Sequence, residues 1–205
     1  MATVFINYRT DDEPGTAALL KRELSRVFGE DSIFIATAMI PPGCDFESEL
    51  LRRVRGCEVI IVVVGSRWLT AEHPAGGRAI DHEADWVRRE IAEAFANGVR
   101  VVPVLVNATP RLTDESLPPN LERLTRCQYL RLRHDNADYD LARIIDQLVE
   151  HVPALRRMDT RTARPAPSVH MTAHASDHAR VNQSARDQFI HENSPPVADL
   201  TRPAN

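Results

Sequence analysis

The sequence predicts an α/β protein: a doubly wound sheet of five parallel strands with helices on both faces. Three observations carry this. Over residues 1–152, short β-branched runs alternate with segments of helical periodicity. One run, residues 58–64, reads Glu-Val-Ile-Ile-Val-Val-Val and is apolar on both faces, as a central strand between two helix layers must be. Strands joined through intervening helices run parallel, because such crossovers are right-handed and return to the same edge direction.

Each element follows in order. Residues 3–7 form a β-branched and aromatic strand, and residues 13–28 a helix with Ala17, Leu20, Leu24 and Val27 on one face. A second strand spans 32–35 and a second helix 46–54. The buried strand 58–64 leads to a helix over 83–97 and a strand over 100–106. A loop bearing Pro110, Pro118 and Pro119 precedes a strand at 127–132. The last helix, 138–152, places Leu141, Ile144, Ile145, Leu148 and Val152 in one stripe.

Composition changes after residue 152. Residues 153–205 hold six of the 14 prolines and four of the eight histidines, with only nine large apolar residues among 53. So sparse a set cannot offset the entropy of ordering a second core. The expectation is one domain, 1–152, followed by a disordered tail, 153–205.

The bulk numbers exclude several classes. Hydrophobic residues at 43% and charged residues at 26% suit a globular protein. No apolar run approaches the ~20 residues of a membrane helix, and no basic segment precedes an apolar stretch at the N-terminus, so a cytoplasmic protein without membrane contact is expected. The formal charge is −4. Of the 25 basic residues only Lys21 is lysine, and the arginines are scattered among acids, which argues against a nucleic-acid surface. Cys44, Cys57 and Cys127 are too few and too dispersed for a disulfide framework or a metal site, and the histidines offer no ligand cluster.

In a doubly wound sheet ligands bind outside the carboxyl ends of the strands, so the loops 8–12, 36–45, 65–85 and 107–117 matter most. None contains a GxGxxG, Walker, HExxH or GxSxG pattern. In the first loop Asp11 or Asp12 is placed to cap the next helix, while Tyr8 and Arg9 could meet a nucleotide. The second, Ala36-Thr37-Ala38-Met39-Ile40-Pro41-Pro42-Gly43-Cys44-Asp45, is stiffened by Pro-Pro-Gly and tipped with apolar residues, the character of an interaction or lid element. On the helix after the third loop, Val87, Ile91, Ala94 and Phe95 form the core stripe, with Glu90 and Trp86 adjacent on its edge. A carboxylate half under an indole there is a candidate catalytic group; the alternative is a solvated glutamate paired with Arg89 or Arg53.

Together these pieces identify a resemblance. Phe5-Ile6-Asn7-Tyr8-Arg9, Pro41-Pro42-Gly43-x-x-Phe46, the strand Val59–Val64 ending in Gly65-Ser66-Arg67-Trp68, Asp85-Trp86-Val87-Arg88-Arg89-Glu90-Ile91, and the run Val101-Val102-Pro103-Val104-Leu105-Val106 occur in the order found in Toll/interleukin-1 receptor (TIR) domains of the bacterial kind. The resemblance implies the flavodoxin-like TIR fold over 1–152. It also implies an NAD+ glycohydrolase of an anti-phage immune effector, releasing nicotinamide and either ADP-ribose or a cyclic isomer. By the Trp-x-x-x-Glu motif Glu90 is then catalytic. Tyr8, Arg9, Trp68 and Trp86 are candidates to hold the nicotinamide ring and pyrophosphate. Ile40, Pro41, Pro42 and Gly43 belong to the BB loop, through which such domains self-associate. NAD+ is the substrate, and no cofactor or metal is expected. One departure is Ala36, where many active relatives carry Asp. The competing class is a non-catalytic TIR adaptor, and a more distant one is nucleoside deoxyribosyl transfer.

Residues 179–192 carry Asn182, Gln183 and Gln188 among Val181, Phe189 and Ile190, a pattern similar to short amyloid-type signalling motifs. That similarity implies contact with an upstream sensor protein through the tail; the alternative is an inert solvated end.

Overall fold

The computed structural model describes residues 3–35 and 45–163. Its strands β1 (Val4–Asn7), β2 (Ile33–Ile35), β3 (Val59–Val64), β4 (Arg100–Val106) and β5 (Leu130–Leu132) form one sheet ordered β2-β1-β3-β4-β5. Every adjacent pair is parallel, as the alternating pattern predicts. From β1 the chain winds outward to β2 and then returns to the other side of β1 as β3. The reversal leaves a crevice at the carboxyl ends of β1 and β3, where such sheets take ligands.

The helices are α1 (Pro14–Phe28), α2 (Phe46–Gly56), α3 (Trp86–Ala96), α4 (Arg123–Arg126), α5 (Ala137–His151), α6 (Pro153–Arg156) and α7 (Thr160–Ala163). The pleat sorts side chains between two cores. Val4, Ile6, Ile61 and Val63 pack under α1, α5 and α6, while Phe5, Ile60, Val62 and Val64 pack under α2, α3 and α4. All six residues of β3 are at most 1% exposed. Burying each such side chain contributes about 1.5–3 kcal/mol before chain entropy is charged against it.

Several boundaries differ from the sequence reading for identifiable reasons. Asp12 does not cap α1, whose N-cap is Glu13 with no side-chain bond to the backbone N–H groups of the first turn. Instead the Asp12 carboxylate accepts the backbone N–H groups of Gly65 (2.7 Å) and Arg67 (2.8 Å), tying the β1 loop to the β3 loop. A Cβ on Gly65 would lie 2.6 Å from both Asp12 oxygens and collide with the Glu13 side chain, so the close approach requires glycine. Helix α3 starts at Trp86 rather than residue 83, because Asp85 caps it by accepting from the Arg88 N–H at 3.0 Å. Strand β5 is shorter than 127–132, since residues 123–126 coil into α4 and Cys127 closes that turn.

The packed fold also runs past residue 152. Leu155 is fully buried in the α1/α5 core. Arg161 bridges Asp159 (2.9 Å) and Asp146 (2.8 Å), and the Thr160 hydroxyl donates to the Arg26 carbonyl at 3.3 Å. Packing thus continues beyond the expected boundary at 152: one leucine among charged and proline-rich neighbours gives no periodic signal, yet it fills the end of the core. The remainder of the expected tail, including 179–192, lies outside the described residues, as do Ala36, Ile40, Pro41, Pro42 and Gly43. Among the described residues no helix is long and apolar enough to cross a membrane.

Candidate active site

At the crevice between β1 and β3 lies a cavity of about 350 Å³, lined by residues 8–11, the start of α2, the segment before α3, and α3 itself. Its size is at the small end of the ~300–1,000 Å³ usual for small-molecule sites. Glu90 lies on its wall, and the side chain is only 3% exposed. The residue is thus more buried than the half-covered edge position expected from the helical wheel. Nor is it a solvated glutamate paired with arginine: Arg89 pairs with Glu47, and Arg53 with Glu49 at 3.0 Å. Its Oε2 accepts a 2.6 Å hydrogen bond from Nδ2 of Asn7, the last residue of β1. Burial, reinforced by the neighbouring Asp85 charge and opposed by the Asn7 hydrogen bond, pushes the Glu90 carboxyl up to about 8. A carboxyl held near neutrality on a cavity wall is poised to gain or lose charge at physiological pH.

The remaining expected site residues divide. Tyr8 and Trp86 line the cavity. Trp86 meets Phe46 edge-on, with ring centroids 5.2 Å apart, and carries the Arg89 guanidinium over its ring at 4.5 Å. Arg9 reaches the cavity wall, but its guanidinium is committed to a bidentate pair with Asp85 (2.8 and 2.7 Å) and donates from Nε to the Trp68 carbonyl at 3.0 Å. Trp68 is fully buried beneath Arg9, away from the cavity lining, so it is a core residue rather than a substrate contact. The resemblance makes it a candidate substrate contact; the chain turns after β3 and drives the indole inward.

The electrostatic balance of the wall is acidic among the described residues. With Arg9 and Asp85 neutralising each other and burial holding Glu90 largely protonated, Asp11 and Glu72 face a single histidine, His73. His73 stacks on His82 at 3.8 Å, which braces the rim. Such a wall suits a cationic ligand group better than an anionic one. Asn7, Phe46, Glu72 and His73 are not legible as site residues in sequence. The one signal is Asn7, an amide closing an otherwise apolar strand. No group of three or more His, Cys, Asp or Glu side chains among the described residues is gathered to hold a metal ion.

Comparison with known proteins settles the family. A TIR domain model matches residues 4–149. The chain belongs to the TIR domain family. The fold agrees: TIR domains in the structure of the activated Roq1 resistosome directly recognizing the pathogen effector XopQ superpose with a TM-score of 0.55. That similarity holds at 13% identity and covers 72% of this chain and 99% of the other. No curated protein matches the sequence. In this TIR domain, Glu90 occupies the last position of Trp86-Val87-Arg88-Arg89-Glu90, on the first two turns of α3.

Proposed function

We propose that this TIR domain is an NAD+ glycohydrolase that cleaves the bond between nicotinamide and ribose, with Glu90 as its catalytic carboxyl. The supporting observation is the placement of a buried, near-neutral carboxyl on the wall of an acidic cavity. A scaffold has no use for such a group, because burying it without a cationic partner destabilises the fold. The chemistry fits its surroundings. Cleavage expels nicotinamide as a neutral molecule, so no general acid is needed, and positive character develops on the ribose as in glycoside hydrolysis. The pyridinium ring of NAD+ carries the charge that an acidic wall attracts. Its approach favours the ionised form of Glu90, which then stabilises the oxocarbenium-like transition state. Water completes the reaction to ADP-ribose, or the substrate's own adenine closes a cyclic isomer.

Tyr8 and Trp86 are the remaining candidates for ring contacts. Self-association through the loop carrying Ile40, Pro41, Pro42 and Gly43 would complete the site, and the tail would join an upstream sensor in a cytoplasmic anti-phage response. The test is incubation of concentrated full-length protein with NAD+ and chromatographic identification of the products. Release of nicotinamide that disappears in Glu90→Gln supports the reading. Intact NAD+ at every protein concentration supports the adaptor instead.

A further inference from the structure

Asn7 does more than end a strand. It is fully buried, and both hydrogens of its amide are used on α3: Nδ2 donates to Glu90 Oε2 at 2.6 Å and to the Val87 carbonyl at 3.2 Å. Its Oδ1 is buried with no hydrogen-bond partner among the described residues. An orphaned amide oxygen is a standing penalty that a leucine of similar size would avoid, as Val4, Phe5 and Ile6 avoid it in the same strand. Packing alone therefore does not account for the asparagine; the donor does.

We propose that Asn7 is the positioning residue of this site, an amide that fixes Oε2 of Glu90 against the start of α3 and favours the ionised carboxylate. This rests on Glu90 being the catalytic carboxyl. A neutral N–H donor stabilises a carboxylate more than a carboxylic acid. It acts here against burial and against Asp85, both of which hold Glu90 protonated. The other titratable groups at the cavity are Tyr8, Arg9 and Asp11 from the β1–α1 loop and Glu72 and His73 from the β3–α3 segment, while α2 contributes only Phe46 and Leu50. Arg9 is already paired with Asp85, so its charge does not relieve Glu90. Without Asn7 the carboxyl would be free to rotate and would ionise only at higher pH.

The test uses the full chain with Asn7→Leu and the milder Asn7→Ser. Carbon-13 NMR follows the glutamate side-chain carboxyls with pH, and the Glu90 resonance is identified by its loss in Glu90→Gln. In parallel, kcat/KM for NAD+ is measured against pH. The Glu90 midpoint should rise by about one pH unit or more in Asn7→Leu and by less in Asn7→Ser, since hydrogen bonds to charged groups are worth about tenfold or more in equilibrium. At pH 7, kcat/KM should fall about tenfold, and most of it should return above pH 9. If Asn7→Leu does not fold, Asn7→Ser carries the measurement alone. An unmoved Glu90 midpoint in a folded variant overturns the proposal, as does loss of activity by one factor at every pH, which would mark a packing role. A shifted midpoint in a protein that leaves NAD+ intact upholds the coupling of Asn7 to Glu90 and removes the NAD+ reading.

Discussion

Arg9 and Asp85, 76 residues apart in sequence, form a bidentate ion pair at 2.8 and 2.7 Å whose side chains are 8% and 9% exposed. The same guanidinium holds the Trp68 carbonyl, and the same carboxylate caps α3 through the Arg88 N–H. One pair thus locks the β1 loop, the β3 loop and the start of α3 around the cavity. Breaking a buried pair from one side leaves an uncompensated charge, so Arg9→Ala or Asp85→Ala should lower unfolding stability by about 3–5 kcal/mol in chemical denaturation. Arg9→Lys should recover only part of this, because an ammonium cannot span both carboxylate oxygens and the Trp68 carbonyl. A lysine variant as stable as the parent would show that charge alone, not the fork geometry, matters.

Replacing Glu90 should separate activity from stability. Glu90→Gln is expected to lower kcat by about 10²–10⁴-fold, the range for losing one electrostatic or acid–base group. The fold should gain. The Glu90 carboxyl rises from 4.5 to about 8 on folding, so the native state binds the proton more tightly than the unfolded chain. Stability of the parent therefore falls as pH rises between these values, and the penalty is complete above the upper one. At pH 7 the glutamine variant should be more stable by about 3 kcal/mol, and the gain should vanish below about pH 4.5. Equal denaturation midpoints for both proteins at pH 4 and pH 8 would remove the burial account of this residue.

The same ionisation should govern the reaction. If the carboxylate is the active form, kcat/KM for NAD+ falls tenfold per unit as pH drops below about 8, because that ratio reports groups of the free protein. The midpoint in kcat should lie lower, since bound pyridinium favours the charged form. A profile flat from pH 6 to 9 would argue that Glu90 does not change charge in the cycle.

Gly65→Ala should destabilise the junction between the two loops. The added methyl would meet the Asp12 carboxylate at 2.6 Å and displace it from the Gly65 and Arg67 N–H groups. Overpacking together with the lost hydrogen bonds is expected to cost about 2–4 kcal/mol, read from the shift in denaturation midpoint. A neutral substitution would mean that the loop relaxes without loss.

Truncation should show where the domain ends. Deleting residues 153–205 removes Leu155 and should lower stability by about 1.5–3 kcal/mol, whereas deleting 164–205 should leave the melting temperature unchanged. Identical melting curves for the two truncations would return the boundary to residue 152. For the shorter deletion, retained NAD+ cleavage in concentrated solution with lost activation in cells is the result expected if the tail recruits a sensor.

The alternation of β-branched runs and helical stripes determines the fold by itself, because a parallel strand buried on both faces and an amphipathic helix leave periodic signatures that short-range sequence carries. Val59–Val64 and the stripe from Leu141 to Leu148 are legible without any partner. The resemblance to TIR domains, carried by Trp86-x-x-x-Glu90, likewise singles out Glu90 within a single stretch of chain, where spacing alone leaves a solvated glutamate open. Tertiary structure alone decides that Glu90 is almost fully buried and bonded to Asn7, 83 positions away. It also decides that Arg9 is spent on Asp85, that Trp68 turns inward, and that Leu155 belongs to the core. Each of these depends on which side chain arrives from a distant strand or loop. Periodicity reports the face a residue presents, but the dielectric and the partners it meets there exist only once the sheet has closed.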